Sequence, residues 1–342
     1  MRIAVVASPV TPLRPAQRGG AQAMVCDLAL GLAHRGHDVE LHCVEGSEVP
    51  GVTLVTVPQP DDAARALVMP LGGPAPSAPG VAAAIAAMFD NIRSHPPDVI
   101  SQHAFDAPAF VQARGLAVLH TLHLPPLVPE VVEAAAATPR VQLAAVSESG
   151  RRGWRAAGVE VRRVLRNGVE DIEVPTSAPE AVALIAGRIS PEKGIEDALA
   201  AARAVGLPMR IAGSVYDPAY GVDLQGAEHM GELTRLDLRR LMARSAVTIC
   251  AVKWDEPFGL VAAEAQMAGC PVAAYRRGAM PEVLEHGVSG FLATPDDKRS
   301  LAEAIRACLT LDRDKVRASA RRRLGLEGAL DGYERALAEV AS

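Results

Sequence analysis

Short β-branched runs alternate with longer alanine- and leucine-rich helical stretches along the whole chain, and no other feature constrains the fold as strongly. Parallel strands cannot be joined by tight turns; each needs a crossover, usually a helix, so this rhythm predicts doubly wound parallel sheets. In the first half the candidate strands are Ile3–Ala7, Val39–Cys43, Leu54–Val57, Val99–Ser101, Val118–Leu122 and Leu143–Val146. The proline- and glycine-rich stretch 59–80 reads as a long surface loop, followed by a helix over Val81–Arg93 with one apolar face. The polar, proline-rich "DIEVPTSAPEA" (171–181) then interrupts the pattern. After it the rhythm restarts, with strands at Ala183–Ala186, Met209–Ala212, Val247–Ala251, Val272–Ala274 and Phe291–Ala293 and helices at Gly194–Val205 and Gly259–Ala268. A last amphipathic helix runs from about Leu326 to Ala341. The 342 residues amount to about two ordinary domains. The expected α/β architecture is two doubly wound domains with a cleft between them, 1–172 and 173–325, with the 326–342 helix packing back on the first.

Composition narrows the class further. Apolar residues are 49% of the chain but aromatics only 3%, so both cores must be built from Ala, Val and Leu. The formal net charge of −5, with no basic stripe interleaved with aromatics, argues against a nucleic-acid partner. Five cysteines, odd in number and set in apolar runs, read as buried reduced thiols. The chain opens on "RIAVVAS" without a charged-then-apolar leader, which predicts no signal peptide and a cytoplasmic protein. Its apolar stretches are too short or interrupted to span a bilayer, so no integral membrane association is expected.

In open parallel sheets, ligands bind where loops leave the carboxyl ends of strands. Three loops fit. The first, "SPVTPLRPAQRGGAQ", brings Gly19 and Gly20 to a helix start whose open N–H groups favour an anion. The loop is too long before its glycines for a dinucleotide fingerprint. The second, "IAGRISPEKG", sets Arg188 and Lys193 past a strand end, a fork and a point charge suited to a diphosphate. The third, "EPFGLVAAEAQMAG", places Phe258, Gly259 and Leu260 at a helix start between Glu256 and Glu264. A carboxylate facing vicinal hydroxyls accepts two hydrogen bonds, as a ribose or hexose requires. Each loop alone has a plainer reading: a glycine turn, surface cations, a capping Glu256 with a solvent-facing Glu264. Together they suit a nucleotide diphosphate carrying a sugar. His120 and His123 in "LHTLH" lie three apart on a strand, on opposite faces, which argues against a shared metal site. "DRD" at Asp312–Asp314 has an Asp-x-Asp form but lies away from any strand end and reads as a solvated turn.

These segments resemble family 4 of the retaining, nucleotide-sugar-dependent glycosyltransferases, whose GT-B fold sets two Rossmann-like domains across a cleft. "GRISPEKG", "EPFGLVAAEAQMAGCPV" and "MPEVLEHGVSGFL" match that family's second-domain motifs; "GGAQ", "LAHRGHDV", "TLH", "AVSES" and "RNGVE" match the first in order and spacing. The resemblance implies a UDP-sugar donor and a small soluble acceptor held by first-domain loops, residues 11–18 among them. It implies no cofactor and no metal. Gly20, with Gly19, would place N–H groups on the diphosphate, and Arg188 and Lys193 would neutralise it. Glu264 would hold the ribose hydroxyls. Glu256 and the backbone of Phe258, Gly259 and Leu260 would hold the donor sugar and its phosphate, while Met230 and Gly231 contact the base. His123 would face the sugar near its reacting carbon; Ser147 and Asn167 lie in matched motifs. With no evident carboxylate nucleophile, retention is expected on one face, the leaving phosphate taking the acceptor's proton.

The chain departs from the family at "CAVKWDE", which puts Lys253 and Trp254 where Pro-Ser is usual, at Ala279 after Gly278, and at "GSVYD" in place of a Gly-x-Gly turn. The family's membrane-bound members carry basic amphipathic surface in the first domain; the Val81–Arg93 helix is not basic, which favours a soluble acceptor. A compact first domain, proline-rich loops and alanine bias resemble actinobacterial antibiotic-tailoring enzymes of the avilamycin (orthosomycin) type. Alternatives on the same fold are a nucleotide-sugar epimerase, a sugar phosphorylase or a non-catalytic nucleotide-sugar-binding protein.

Overall fold

The computed structural model describes residues 1–15, 20–66, 78–173, 178–215, 220–224 and 226–342. Gly19 and part of the 11–18 loop, of the 59–80 stretch and of the 171–181 stretch lie outside the described residues. The chain forms two compact units, Met1–Gln17 with Ala21–Arg166 and Ala329–Ser342, and Arg18–Gly20 with Asn167–Gly328. The change of unit thus falls after Arg166 rather than after residue 172.

In the first unit the strands are β1 (Arg2–Val6), β2 (Asp38–Val44), β3 (Thr53–Val57), β4 (Val99–Gln102), β5 (Val118–Leu122), β6 (Leu143–Ala145) and β7 (Arg163–Val164). They pair in the order β3-β2-β1-β4-β5-β6-β7, and every pairing is parallel. Central β1 reads as a continuous apolar run because it is covered on both faces, with Ile3 to Val6 at most 1% exposed. One face carries the Pro79–Ser94 helix, whose Ile85, Met88, Phe89 and Ile92 pack with Ala4, Val6 and Ile100. Its first turn is capped from a distance: Gly80 N and Val81 N donate to the Asp62 carboxylate at 2.8 and 3.2 Å. Asp62 lies in the stretch expected to be loop throughout, which also contains a short helix at Ala63–Ala66.

The C-terminal helix Leu326–Ala341 puts its larger part into the first unit. Arg35 donates to Asp331 and Glu334 at 2.7 and 2.9 Å, and buried Tyr333 donates to Thr121 Oγ1 at 3.3 Å.

The second unit repeats the plan with β8 (Glu180–Ala186), β9 (Met209–Ala212), β10 (Ala227–Gly231), β11 (Ser245–Cys250), β12 (Val272–Tyr275) and β13 (Gly290–Ala293). Its order is β10-β9-β8-β11-β12-β13, again all parallel. The core between sheet and helices is made mainly of Ala, Ile, Leu and Val side chains, with Met209, Cys308 and one aromatic, Tyr275, in its buried part. Strands β7 and β10 are the two the sequence pattern did not announce among the described residues. Of these, β10 is a half-exposed edge strand, "AEHMG", without apolar alternation. All five cysteines are buried free thiols. Among the described residues, no helix is long and apolar enough to cross a membrane.

Candidate functional site

In the second sheet the order reverses between β8 and β11, and the loops that leave their carboxyl ends diverge there. The loop after β8 carries Arg188 and Lys193; the loop after β11 carries Trp254, Glu256, Phe258 and Gly259. Two glycines let these loops approach. Gly194 takes φ +65°, and a Cβ there would stand 1.9 Å from Ala251 O. Gly278 takes φ +56°, and a Cβ would stand 2.4 Å from Glu256 N. Side chains at either position would push the site's backbone apart. Lys253 N–H donates to Glu192 O at 2.8 Å, tying the two loops together.

Lys193 Nζ donates to Glu256 Oε2 at 2.8 Å, with the two side chains 17% and 14% exposed. Trp254 Nε1–H donates to the same oxygen at 2.8 Å, and Lys193 Nζ lies 5.6 Å from the centroid of the Trp254 ring. Both hydrogen bonds fall on Oε2, which leaves Oε1, without a partner among the described residues, to accept from a ligand. Lys193 closes a 3₁₀ turn (Pro191–Lys193) ahead of the helix Ile195–Val205, so it lies before that helix and does not open it. Arg188 Nη2 stands 3.5 Å from Glu192 Oε1, which Ser190 Oγ–H also reaches at 2.6 Å. Gly259 caps the helix Leu260–Met267 at φ +93°. Ala263 N–H donates to Gly259 O at 3.1 Å, leaving the earlier N–H groups of that turn open toward an anion.

Glu264 does not face solvent, as its plainer reading had it. Buried Arg239 donates from Nη2 to Glu264 Oε1 at 3.1 Å, and Arg235 Nε stands 3.8 Å away. Two guanidiniums against one carboxylate were not foreseen from "TRLDLRRL", whose charges look like those of a solvated helix. Met230 and Gly231 end β10, where Gly213 N–H donates to Gly231 O at 2.8 Å. Gly20 is the exposed first residue of the helix Gly20–His34.

In the first unit His123 follows β5 and is buried against His103, with His103 Nδ1 and His123 Nε2 2.9 Å apart. His120 instead stacks on Phe110, ring centroids 4.5 Å apart. Burial keeps all three imidazoles neutral: His120 and His123 are lowered to about 3 and His103 well below its usual value. Ser147 caps the helix Glu148–Ala156, accepting from Gly150 N at 2.9 Å. Buried Asn167 Oδ1 accepts no hydrogen bond from a described residue. Asp312 of "DRD" caps a helix, accepting from Asp314 N and Lys315 N at 3.0 and 3.3 Å. It is thus occupied as a helix cap.

A parallel sheet of order 3-2-1-4-5-6, built twice, with cations and an open helix start at the second reversal, defines a two-Rossmann nucleotide-binding protein. Two family descriptions match end to end: Glycosyltransferase Family 4 over residues 18–172 and Glycosyl transferases group 1 over residues 170–324. The chain belongs to the GT-B glycosyltransferases of this group 1 and family 4 superfamily. It is similar to a glycogen synthase of Mycobacterium tuberculosis, 31% identical over 163 residues, which are 43% of this chain and 39% of that protein. A D-inositol 3-phosphate glycosyltransferase of Nocardioides sp. is 40% identical over 106 residues, 28% of this chain and 23% of that protein. The chain therefore spans well under half the length of these curated relatives. Among solved structures, Anabaena Alr3699/HepE in complex with UDP and glucose superposes with a TM-score of 0.72 at 19% identity, covering 99% of this chain and 100% of that one. AviGT4, a glycosyltransferase involved in avilamycin A biosynthesis, gives 0.72 at 22%, covering 99% and 98%. Likeness at such identities speaks for the fold.

Proposed function

We propose that this protein is a retaining glycosyltransferase that moves a sugar from UDP to a hydroxyl of a small soluble acceptor. The observation that carries the reading is the Lys193–Glu256 pair beside the open start of the Leu260–Met267 helix, at the strand-order reversal of the second sheet. Departure of a nucleoside diphosphate builds negative charge, and preorganised cations and N–H groups lower that barrier. Arg188, Lys193 and the N–H groups at Gly259 and Leu260 are the proposed partners of the diphosphate, as are Gly19 and Gly20. Lys193 rests on Glu256 until phosphate arrives, and then leaves Glu256 free to accept from the donor sugar. Glu264, held by Arg239, is the proposed acceptor of the ribose hydroxyls, with Met230 and Gly231 beside the base. His123 is the proposed hydrogen-bonding group toward the reacting sugar, and the leaving phosphate takes the acceptor's proton.

UDP is favoured because the similar Anabaena protein is seen in complex with UDP and glucose. An antibiotic intermediate as acceptor draws support from AviGT4. This reading goes with a cytoplasmic protein and a donor site that needs no metal. It is tested by thermal shift with UDP, GDP, dTDP and ADP, each with and without magnesium. A ligand at a hundred times its dissociation constant adds about 2.7 kcal/mol. Selective stabilisation by UDP that does not depend on magnesium is the expected result. Stabilisation by none of the four ends the reading.

A further inference from the structure

Ser101, His103 and His123 form a hydrogen-bonded chain at the carboxyl ends of β4 and β5. Ser101 Oγ lies 2.9 Å from His103 Nε2, and His103 Nδ1 lies 2.9 Å from His123 Nε2. The three side chains are buried, at 0%, 2% and 6% exposure. Phe105 meets His123 edge-on at 5.6 Å between centroids, and the Tyr333 ring lies 6.0 Å from that of His103. Position along the chain explains the meeting: Ser101 lies in β4 and His103 is the residue just past its end, two positions on, so the chain direction brings both side chains to one side.

A neutral imidazole has one N–H donor and one bare acceptor nitrogen, and a hydroxyl has one proton. Two links between neutral rings and a hydroxyl therefore allow only two arrangements, running in opposite directions. In one, His123 donates to His103, which donates from Nε2 to Ser101. The Ser101 hydroxyl proton is then stranded, because Oγ has no other hydrogen-bond partner among the described residues. A buried donor without an acceptor carries its full desolvation cost. In the other arrangement Ser101 donates to His103 Nε2, His103 donates from Nδ1 to His123 Nε2, and each proton in the chain is used. Only acceptor lone pairs on Ser101 go unfilled, and that costs far less.

We infer that Ser101 and His103 lock His123 in its Nδ1–H tautomer, so that His123 meets substrate as a neutral hydrogen-bond donor and not as a base. His123 Nδ1 makes no hydrogen bond to a described residue, which leaves that N–H for a ligand. Free histidine in water prefers the opposite tautomer, so the lock has work to do. Ser101 and His103 are positioning residues; only His123 touches substrate. That its partner is an oxygen of the sugar or of the acceptor rests on the transferase reading, whereas the tautomer does not.

The test is nitrogen NMR of the full-length chain labelled with ¹⁵N-histidine, near neutral pH and without ligand. A protonated Nδ1 and a bare Nε2 on His123 is the expected result, with Ser101→Ala shifting both resonances toward the averaged positions of a free tautomer mixture. A native His123 protonated on Nε2 overturns the inference, and so does a folded Ser101→Ala whose His123 resonances stay where they were. Should Ser101→Ala fail to fold, the native spectrum still decides. Under the transferase reading Ser101→Ala also lowers kcat while leaving KM for the nucleotide sugar nearly unchanged. An Nδ1–H tautomer in a protein that neither transfers nor hydrolyses any UDP-sugar supports the lock and removes the transferase reading.

Discussion

At the carboxyl edge of the first sheet stand neutral buried imidazoles, His103 and His123, with His120 inside β5; at the same edge of the second stand paired charges, Lys193 with Glu256 and Arg188 with Glu192, and Arg239 with Glu264 between neighbouring helices. The strand order is the same in both, apart from β7, which extends the first sheet. The fold supplies a position, and the side chains that occupy it supply the chemistry. An imidazole can be buried by giving up its proton, whereas a buried carboxylate needs a cation. On the proposed function, the first edge would meet neutral hydroxyls and the second an arriving anion that exchanges partners with charges already stored there.

Acid should break this comparison with the largest effect. His42, His103, His120 and His123 all have folded-state values depressed below that of unfolded histidine, His42 to about 4. The unfolded chain therefore takes up protons first. Stability is full above about pH 6.5 and falls as pH drops toward the folded values, by about 1.4 kcal/mol per pH unit for each histidine. Partly buried Asp106, raised to about 6 by desolvation, acts in the opposite sense, its burial cost relieved as pH falls below that value. The ion-paired carboxylates of the second unit, Asp171 and Glu180, are held below their usual values by arginines, so the stability they add is full at neutral pH and is lost only as pH falls below the ordinary carboxylate range. Urea melts at pH 7 and pH 5, with hydrogen exchange resolved by strand, should show the first unit opening ahead of the second.

Lys193→Ala comes next. Loss of one preorganised charge typically costs on the order of 10² to 10³ in rate. Near-normal transfer by this variant would remove Lys193 from the chemistry. Arg239→Met leaves Glu264 with the longer Arg235 contact alone and should cost about 3 kcal/mol of unfolding free energy. A double variant with Glu264→Gln should recover much of that loss; if it does not, the pair is not what holds the helices together. Trp254→Phe is the smallest change. It deletes one N–H bond to Glu256 and should weaken nucleotide-sugar binding by about 1 kcal/mol, with UDP alone unaffected. Equal weakening of both ligands would place Trp254 on the diphosphate instead.

Where residues near one another in sequence carry the signal, the chain is readable. Strand β5 runs over Val118–Leu122 and β9 over Met209–Ala212, the ranges that β-branched and apolar patterning predicts, because central parallel strands must be apolar on both faces. The loops bearing Arg188, Lys193 and Glu256 are legible for a similar reason: a cation or carboxylate beside a glycine at a strand end has few structural uses. Edge strand β10 is not legible, since its exposed side removes the apolar run that marks the inner strands. Nor is Arg239, whose burial depends on Glu264, a residue of another helix.

By itself, then, the sequence determined the repeated strand-and-helix rhythm, the two units and the loops that carry the charged motifs, because backbone geometry ties each of these to side chains a few positions apart. Tertiary structure alone decided which groups meet. It joined Lys193 to Glu256, set two arginines on Glu264, returned Tyr333 to Thr121 and lined up Ser101, His103 and His123. Those contacts follow from which strands are neighbours in a parallel sheet, and that adjacency is a property of the packed chain rather than of any local run of residues.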